Sequence, residues 1–162
     1  MTLSKENILH LLEQIPDPEI PVISIVELGV IRDIKISGNE LELKITPTYS
    51  GCPAMKQMED DIKTKFKENH IDHFKIITSY SPPWTTDWMN AETKEKLRKY
   101  GIAPPEENTQ DKSFITGKHK TVTCPRCKST NTKLISQFGS TACKALYQCN
   151  DCLEPFDYFK CI

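Results

Sequence analysis

The chain has 162 residues, with 21 Lys+Arg against 22 Asp+Glu and a net charge of -1, a balance that argues against a protein built mainly to hold nucleic-acid phosphate or an anionic membrane surface. No stretch approaches the roughly 20 apolar residues that cross a bilayer, and the opening MTLSKENILHLLEQI carries Lys5, Glu6 and Glu13 where a secretory signal would be apolar. Both features predict a soluble cytoplasmic protein.

Ser4 reads as the N-cap of a helix to about Gln14, with Ile8, Leu11, Leu12 and Ile15 on one face. Pro16, Pro18 and Pro21 stop it, and the segment that follows predicts an ordered loop with a short turn. Asp17 and Glu19 in that loop suit turn formation, with metal ligation as the second reading. Residues 33–36 alternate charged and apolar after a break in the pattern at Ile31 and Arg32. Residues 41–46 alternate cleanly, so the two stretches predict a β-hairpin with one buried face. A second helix is expected from Cys52 or Pro53 to about Asn69, with Met55, Met58, Ile62 and Phe66 as a core stripe. Residues 74–80 predict a third strand. Trp84 and Trp88 follow in SPPWTTDWM, one expected to cover the core and the other open as a partner-binding surface. Ala91 to Tyr100 predicts a last helix. These elements give an α+β fold over residues 1–105, a small mixed sheet with helices packed on it. The polar segment 106–120 is expected to be a linker, and residues 121–162 hold too few large apolar side chains to fold unaided.

What that last segment does hold is cysteine. Cys52 stands apart, while the other six of the seven Cys, at 124, 127, 143, 149, 152 and 161, crowd the C-terminal quarter. In a reducing cytosol such clustering predicts metal ligation over disulfides. Cys124-Pro-Arg-Cys127 and Cys149-Asn-Asp-Cys152 form two CxxC knuckles that can place four thiolates around one Zn²⁺, leaving no open coordination position. The expectation is a structural zinc ribbon whose metal supplies folding energy. A rubredoxin-like iron or an iron–sulfur cluster could use the same four sulfurs. Arg126, Lys128, Lys133 and Lys144 are expected to offset the anionic centre. A nucleic-acid-binding ribbon is the less favoured reading, because Glu154 and Asp157 interrupt the aromatic run Phe156, Tyr158 and Phe159. Cys143 and Cys161 are expected to be small buried side chains, or else reactive thiols beside the ribbon.

Cys52 lies in TPTYSGCP at the head of the second helix, where the helix dipole and free amides favour a thiolate. This suits a nucleophile or a metal or cluster ligand, with simple packing as the alternative. Gly51 is expected to admit close backbone approach, and Thr48 and Ser50 to add hydroxyls. No His sits near Cys52 in sequence, so a Cys–His hydrolase has little support.

The segments DPEIPVISIVELGVI and TPTYSGCPAM, with the hairpin between them, resemble the small domain of SufT-type iron–sulfur assembly proteins. SPPWTTDWMNAETKEKLRKYGIAPP and the run from CPRCKSTNTK to EPFDYFKC resemble the PaaD family, a component of the bacterial phenylacetyl-CoA epoxidase system. The resemblance implies a non-enzymatic accessory or maturation factor. Its partners would be the oxygenase and reductase subunits, its cofactor a structural zinc, and a transient iron–sulfur cluster would be possible cargo. It places the family's loop cysteine at Cys52, its acidic turn at Asp17 and Glu19, and its ribbon ligands at Cys124, Cys127, Cys149 and Cys152. The chain lacks ExxH pairs and GxGxxG, which argues against di-iron oxygen chemistry or hydride transfer by the chain itself.

Overall fold

Ser4 opens the first helix by accepting the Asn7 amide at 3.2 Å, and α1 runs Lys5–Glu13 with Ile8, Leu11 and Leu12 buried. The computed structural model describes residues 3–105 and 121–160; the expected linker 106–120 and Cys161 lie outside the described residues. The chain divides into two compact units between Trp84 and Thr85.

In the first unit the proline-rich loop delivers Ile20, Ile23, Ile25, Leu28 and Val30 to the core. Two side-chain devices shape it. Asp17, itself buried, accepts the Glu19 and Ile20 amides through Oδ1 at 3.0 and 2.7 Å, the turn-forming role its position suggests. Ser24 and Glu27 cap one another: the Ser24 amide donates to Glu27 Oε2 at 2.9 Å, and the Glu27 amide to Ser24 Oγ at 3.1 Å. This is capping-box chemistry closing a turn without a helix.

Strands β1 (Ile31–Ser37) and β2 (Glu40–Ile45) form the hairpin, with a register shift between Ile31 and Asp33. The shift falls where the sequence alternation breaks. Helix α2 (Ala54–Glu68) then carries the chain to β3 (Phe74–Thr78), which pairs parallel with β2. The sheet is mixed, in the order β1-β2-β3. The buried helix residues are Ala54, Met58, Ile62 and Phe66, whereas Met55, expected in the stripe, is half-buried. Phe66 packs edge-on against Phe74, ring centroids 5.2 Å apart.

Helix α2 ends in a Schellman motif. His70 N–H donates to Lys67 O at 3.0 Å and Ile71 N–H to Phe66 O at 2.9 Å, which puts His70 in the left-handed region at φ 58. A β-carbon is unfavourable there. Because His70 is exposed, His70→Gly is expected to raise stability by up to ~1 kcal/mol. Urea unfolding checks it, and a destabilised variant would refute it.

The second unit begins earlier than the sequence suggests. Thr85 caps a single 3-10 turn, Thr86–Trp88, and Asn90 caps helix α3 (Ala91–Tyr100) by accepting the Thr93 amide at 2.8 Å. Gly101, at φ 94, ends α3 and starts β4 (Ile102–Ala103). Strands β5 (Thr132–Ser136), β6 (Lys144–Cys149) and β7 (Pro155–Phe159) complete a four-stranded sheet ordered β4-β7-β6-β5. Residues 85–105, expected in the first domain, therefore fall in the second unit, because Ile102 and Ala103 pair with Asp157 and Tyr158. The aromatic run 156–159, not recognised as a strand in the sequence, is β7. Val122, Tyr147, Phe156 and Tyr158 form a small apolar core with Cys124 and Cys149, in which Tyr147 packs against both Phe156 and Tyr158.

Candidate functional site

The two knuckles are built alike. In each, the amide of the first cysteine donates to the carbonyl five residues on, Cys124 to Ser129 and Cys149 to Glu154, both at 2.9 Å. In each, the residue after the second cysteine turns left-handed, Lys128 at φ 66 and Leu153 at φ 63. The first cysteine of each pair is fully buried, and the second is turned toward the surface, Cys127 exposed and Cys152 partly so. Leu153 is 67% exposed, so it contributes little packing while bearing the cost of its conformation. Leu153→Gly is thus expected to slow loss of structure when metal is withdrawn by a chelator; faster loss would refute this.

The four sulfurs lie within 4.8 Å of one another, with Cys124–Cys152 at 3.7 Å and Cys127–Cys149 at 3.5 Å. A tetrahedron with Zn–S near 2.3 Å has sulfur edges of about 3.8 Å, so the cage has the size the ion needs. The metal-free electrostatics fit as well. The Cys152 amide hydrogen-bonds the Cys149 sulfur, and although burial opposes it, this and the Asp151 amide hold that thiol down at about 7. At Cys127 the Ser129 backbone hydrogen bond is outweighed by partial desolvation of the otherwise exposed thiol and by the neighbouring sulfurs Cys149, Cys152 and Cys124, which push it up to about 12. Four sulfurs this close cannot all ionise without a cation between them.

Comparison with known proteins follows the same division. Residues 5–69 match the family described as "Iron-sulfur cluster assembly protein", and residues 108–160 match the "PaaD zinc beta ribbon domain". A protein of Escherichia coli (strain K12), provisionally assigned as a component of 1,2-phenylacetyl-CoA epoxidase, is 48% identical over 156 residues, 96% of this chain and 92% of its own. The chain belongs to the PaaD family. Its iron–sulfur assembly domain is also similar to the Fe-S protein maturation auxiliary factor YitW of Bacillus subtilis (strain 168), 34% identical over 57% of this chain and 92% of that one. Among solved structures, a DUF59 domain from Bacillus anthracis matches with a TM-score of 0.54 at 27% identity, covering 57% of this chain and 90% of that one. As the zinc ribbon match implies, the four-cysteine centre is a structural zinc site. Bound there, the ion would supply folding energy, and Cys124, Cys127, Cys149 and Cys152 would fill all its positions.

The remaining expected site residues are scattered over this PaaD-family chain. Among the described residues, the tetrad is the group of three or more His, Cys, Asp or Glu placed to hold a metal; Cys52, Asp17 and Glu19 do not assemble into a second one. Cys52 is buried at the mouth of α2, its amide 3.4 Å from Tyr49 O and its carbonyl accepting the Met55 amide at 3.2 Å. No side chain caps α2. Gly51 sits at φ 80 with nothing within 4 Å of an added β-carbon, so it is needed for the turn's left-handed backbone and not for the close approach expected of it. In the same loop Thr46 and Thr48 are buried, and Thr46 Oγ1 has no hydrogen-bond partner among the described residues.

Of the two indoles, Trp84 is core: it is 3% exposed and donates from Nε1 to Leu28 O at 2.9 Å. Trp88 is exposed in its 3-10 turn only in part. Cys143 is buried, its Sγ 3.0 Å from Thr141 Oγ1, as a packing thiol would be. Arg126 pairs with Glu154. That carboxylate, ahead of the charges of Cys152 and Cys124, holds the guanidinium pKa above its usual range. Lys160 lies over the Phe138 ring at 4.9 Å and donates to Gln137 O at 3.0 Å. These two ribbon cations are engaged by neighbouring groups, and no helix among the described residues is long and apolar enough to cross a membrane.

Sequence reasoning misses the Arg126–Glu154 pair, the Ser24–Glu27 cap and strand β7. The cap is legible as S-x-x-E, and β7 as the alternating Phe156, Asp157, Tyr158. The ion pair carries no local signal, since its partners are far apart in sequence.

Proposed function

We propose that this chain is a non-enzymatic accessory factor of a phenylacetyl-CoA epoxidase system, assisting assembly of the iron–sulfur or di-iron centres of the oxygenase or its reductase in a reducing cytoplasm. The observation that carries the reading is one colinear chain joining an iron–sulfur assembly domain to a ribbon whose metal site is saturated by protein sulfur. A saturated zinc does no chemistry on a substrate, so the reactive candidate is Cys52 in the first unit. A cluster is its cargo: Cys52 contributes one ligand, and with no second group of ligands assembled around it among the described residues, the others come from the donor or client protein. The ribbon and the partly exposed Trp88 are the surfaces offered to the client, and Asp17 with Glu19 shapes the loop of the first unit.

Cys52→Ser in cells that depend on this chain is expected to lower the iron content of the oxygenase or reductase several-fold while their protein levels hold. Full metallation with Cys52→Ser would remove the role given to the thiol. The relative's assignment to the epoxidase itself favours a second reading, a structural component of the oxygenase complex. Stoichiometric co-purification with the oxygenase, together with lost turnover when the chain is withheld from a fully metallated oxygenase, would select it.

A further inference from the structure

The two knuckles are joined to each other by a reciprocal pattern of side chains. The third residue of each CxxC reaches across to the residue two places beyond the other knuckle's last cysteine: Arg126 pairs with Glu154, and Asp151 Oδ2 accepts the Ser129 hydroxyl. Ser129 and Glu154 are also the residues whose carbonyls close their own knuckles, accepting the Cys124 and Cys149 amides. Each thus ties its own knuckle through the backbone and the opposite one through its side chain. On the Asp151 side the tie is doubled. Asn131 Nδ2 donates to Asp151 Oδ1 at 2.8 Å and its amide donates to Ser129 Oγ at 3.0 Å, while Asn150 donates to Asn131 through Nδ2 at 2.9 Å and through its backbone amide at 2.8 Å.

We infer that the Arg126–Glu154 and Asp151–Ser129 contacts are latches that hold the two knuckles, and with them the four sulfurs, in register, and so control how slowly the metal leaves. The inference rests on the assignment of the tetrad as the zinc site. The physical reason is geometric. Each CxxC turn fixes its own two sulfurs, but nothing within a knuckle fixes its distance from the other; only contacts that span the two can do that. For the ion to leave, two sulfurs must separate, and a latch bridging the knuckles raises the barrier to that opening. These four are positioning residues and not ligands, and partners of this rank change metal affinity by about 10 to 100-fold.

The test uses the full chain, loaded with Zn²⁺ or Co²⁺, in Arg126→Glu, Glu154→Arg, the double exchange, and Asp151→Ala. Zinc transfer to a chromogenic chelator is expected to be on the order of 10-fold faster in each single variant and to return most of the way to the native rate in the double exchange. The visible spectrum of the Co²⁺ form should remain that of a tetrahedral four-thiolate site in all of them, which a lost ligand would not allow. Transfer rates within twofold of native in the single variants overturn the proposal. So does an exchange variant no slower than its parents, or a Co²⁺ spectrum with fewer than four thiolates. If Glu154→Arg or the exchange fails to fold, Asp151→Ala decides by the same rate criterion. If the native chain does not bind Co²⁺ through four thiolates, the zinc assignment itself fails.

Discussion

Serine in place of Cys124 is expected to leave β5, β6 and β7 without stable structure and the chain without zinc. Cys124 is fully buried within the ribbon core, so the change removes one of four metal ligands and puts a polar hydroxyl among Val122, Tyr147 and Phe156. Structural zinc binding is worth on the order of 10 kcal/mol, and the small core beside it cannot replace that. Amide signals of residues 121–160 should collapse to unfolded positions, and zinc content should fall from one per chain to near zero. A variant that keeps its zinc and its dispersed signals would refute the structural role.

Acid should act in the same direction. The zinc-bound state keeps its sulfurs ionised and so binds fewer protons than the unfolded chain, whose thiols titrate near ~8.5. Stability is therefore full above that range and declines as pH falls. In the metal-free ribbon, thiols held at about 7 for Cys149 and about 12 for Cys127 mean that loading at neutral pH must expel protons. Zinc affinity measured from pH 6 to 8 should rise with pH, and a flat profile would contradict the four-thiolate site.

Phe66→Ala is expected to have the largest effect on the first unit. Phe66 is completely buried on α2 and meets Phe74 of β3 edge-on, so truncation loses both apolar burial and an aromatic contact across the helix–sheet seam. Losses of this kind run about 3–5 kcal/mol against a total of roughly 5–15 for a domain. Urea unfolding followed by circular dichroism should show a loss of several kcal/mol from the first unit's stability. Met55→Ala, half-buried on the same helix, should cost much less. Equal effects from the two would mean that the seam is not where the stability lies.

Local pattern carries far in this chain. The α1 cap at Ser4, the break at Ile31 and Arg32, and the bounds of α3 all sit where side-chain chemistry within a few residues dictates them. The zinc tetrad is equally legible, because a CxxC turn is a local object and two of them name the site. Asp17 reads as a turn former for the same reason: the amides it accepts lie within three residues.

The division between units is not legible in this way. Residues 85–105 look like a continuation of the first domain until Ile102 and Ala103 find Asp157 and Tyr158, a pairing across more than fifty positions that no local rule announces. The aromatic residues of β7 look too few to build a core, yet Phe156 and Tyr158 do so by meeting Tyr147 on a neighbouring strand.

By itself the sequence determined the three α-helices, the first hairpin, the Asp17 turn and the two CxxC knuckles, since each depends on interactions that close within a few residues. Tertiary structure alone decided which sheet α3 and β4 join, that the Trp84 indole is spent on Leu28 O, and that Arg126 and Asp151 bridge the two knuckles. Those are contacts between groups far apart in the chain, and only the folded backbone brings them within hydrogen-bonding distance.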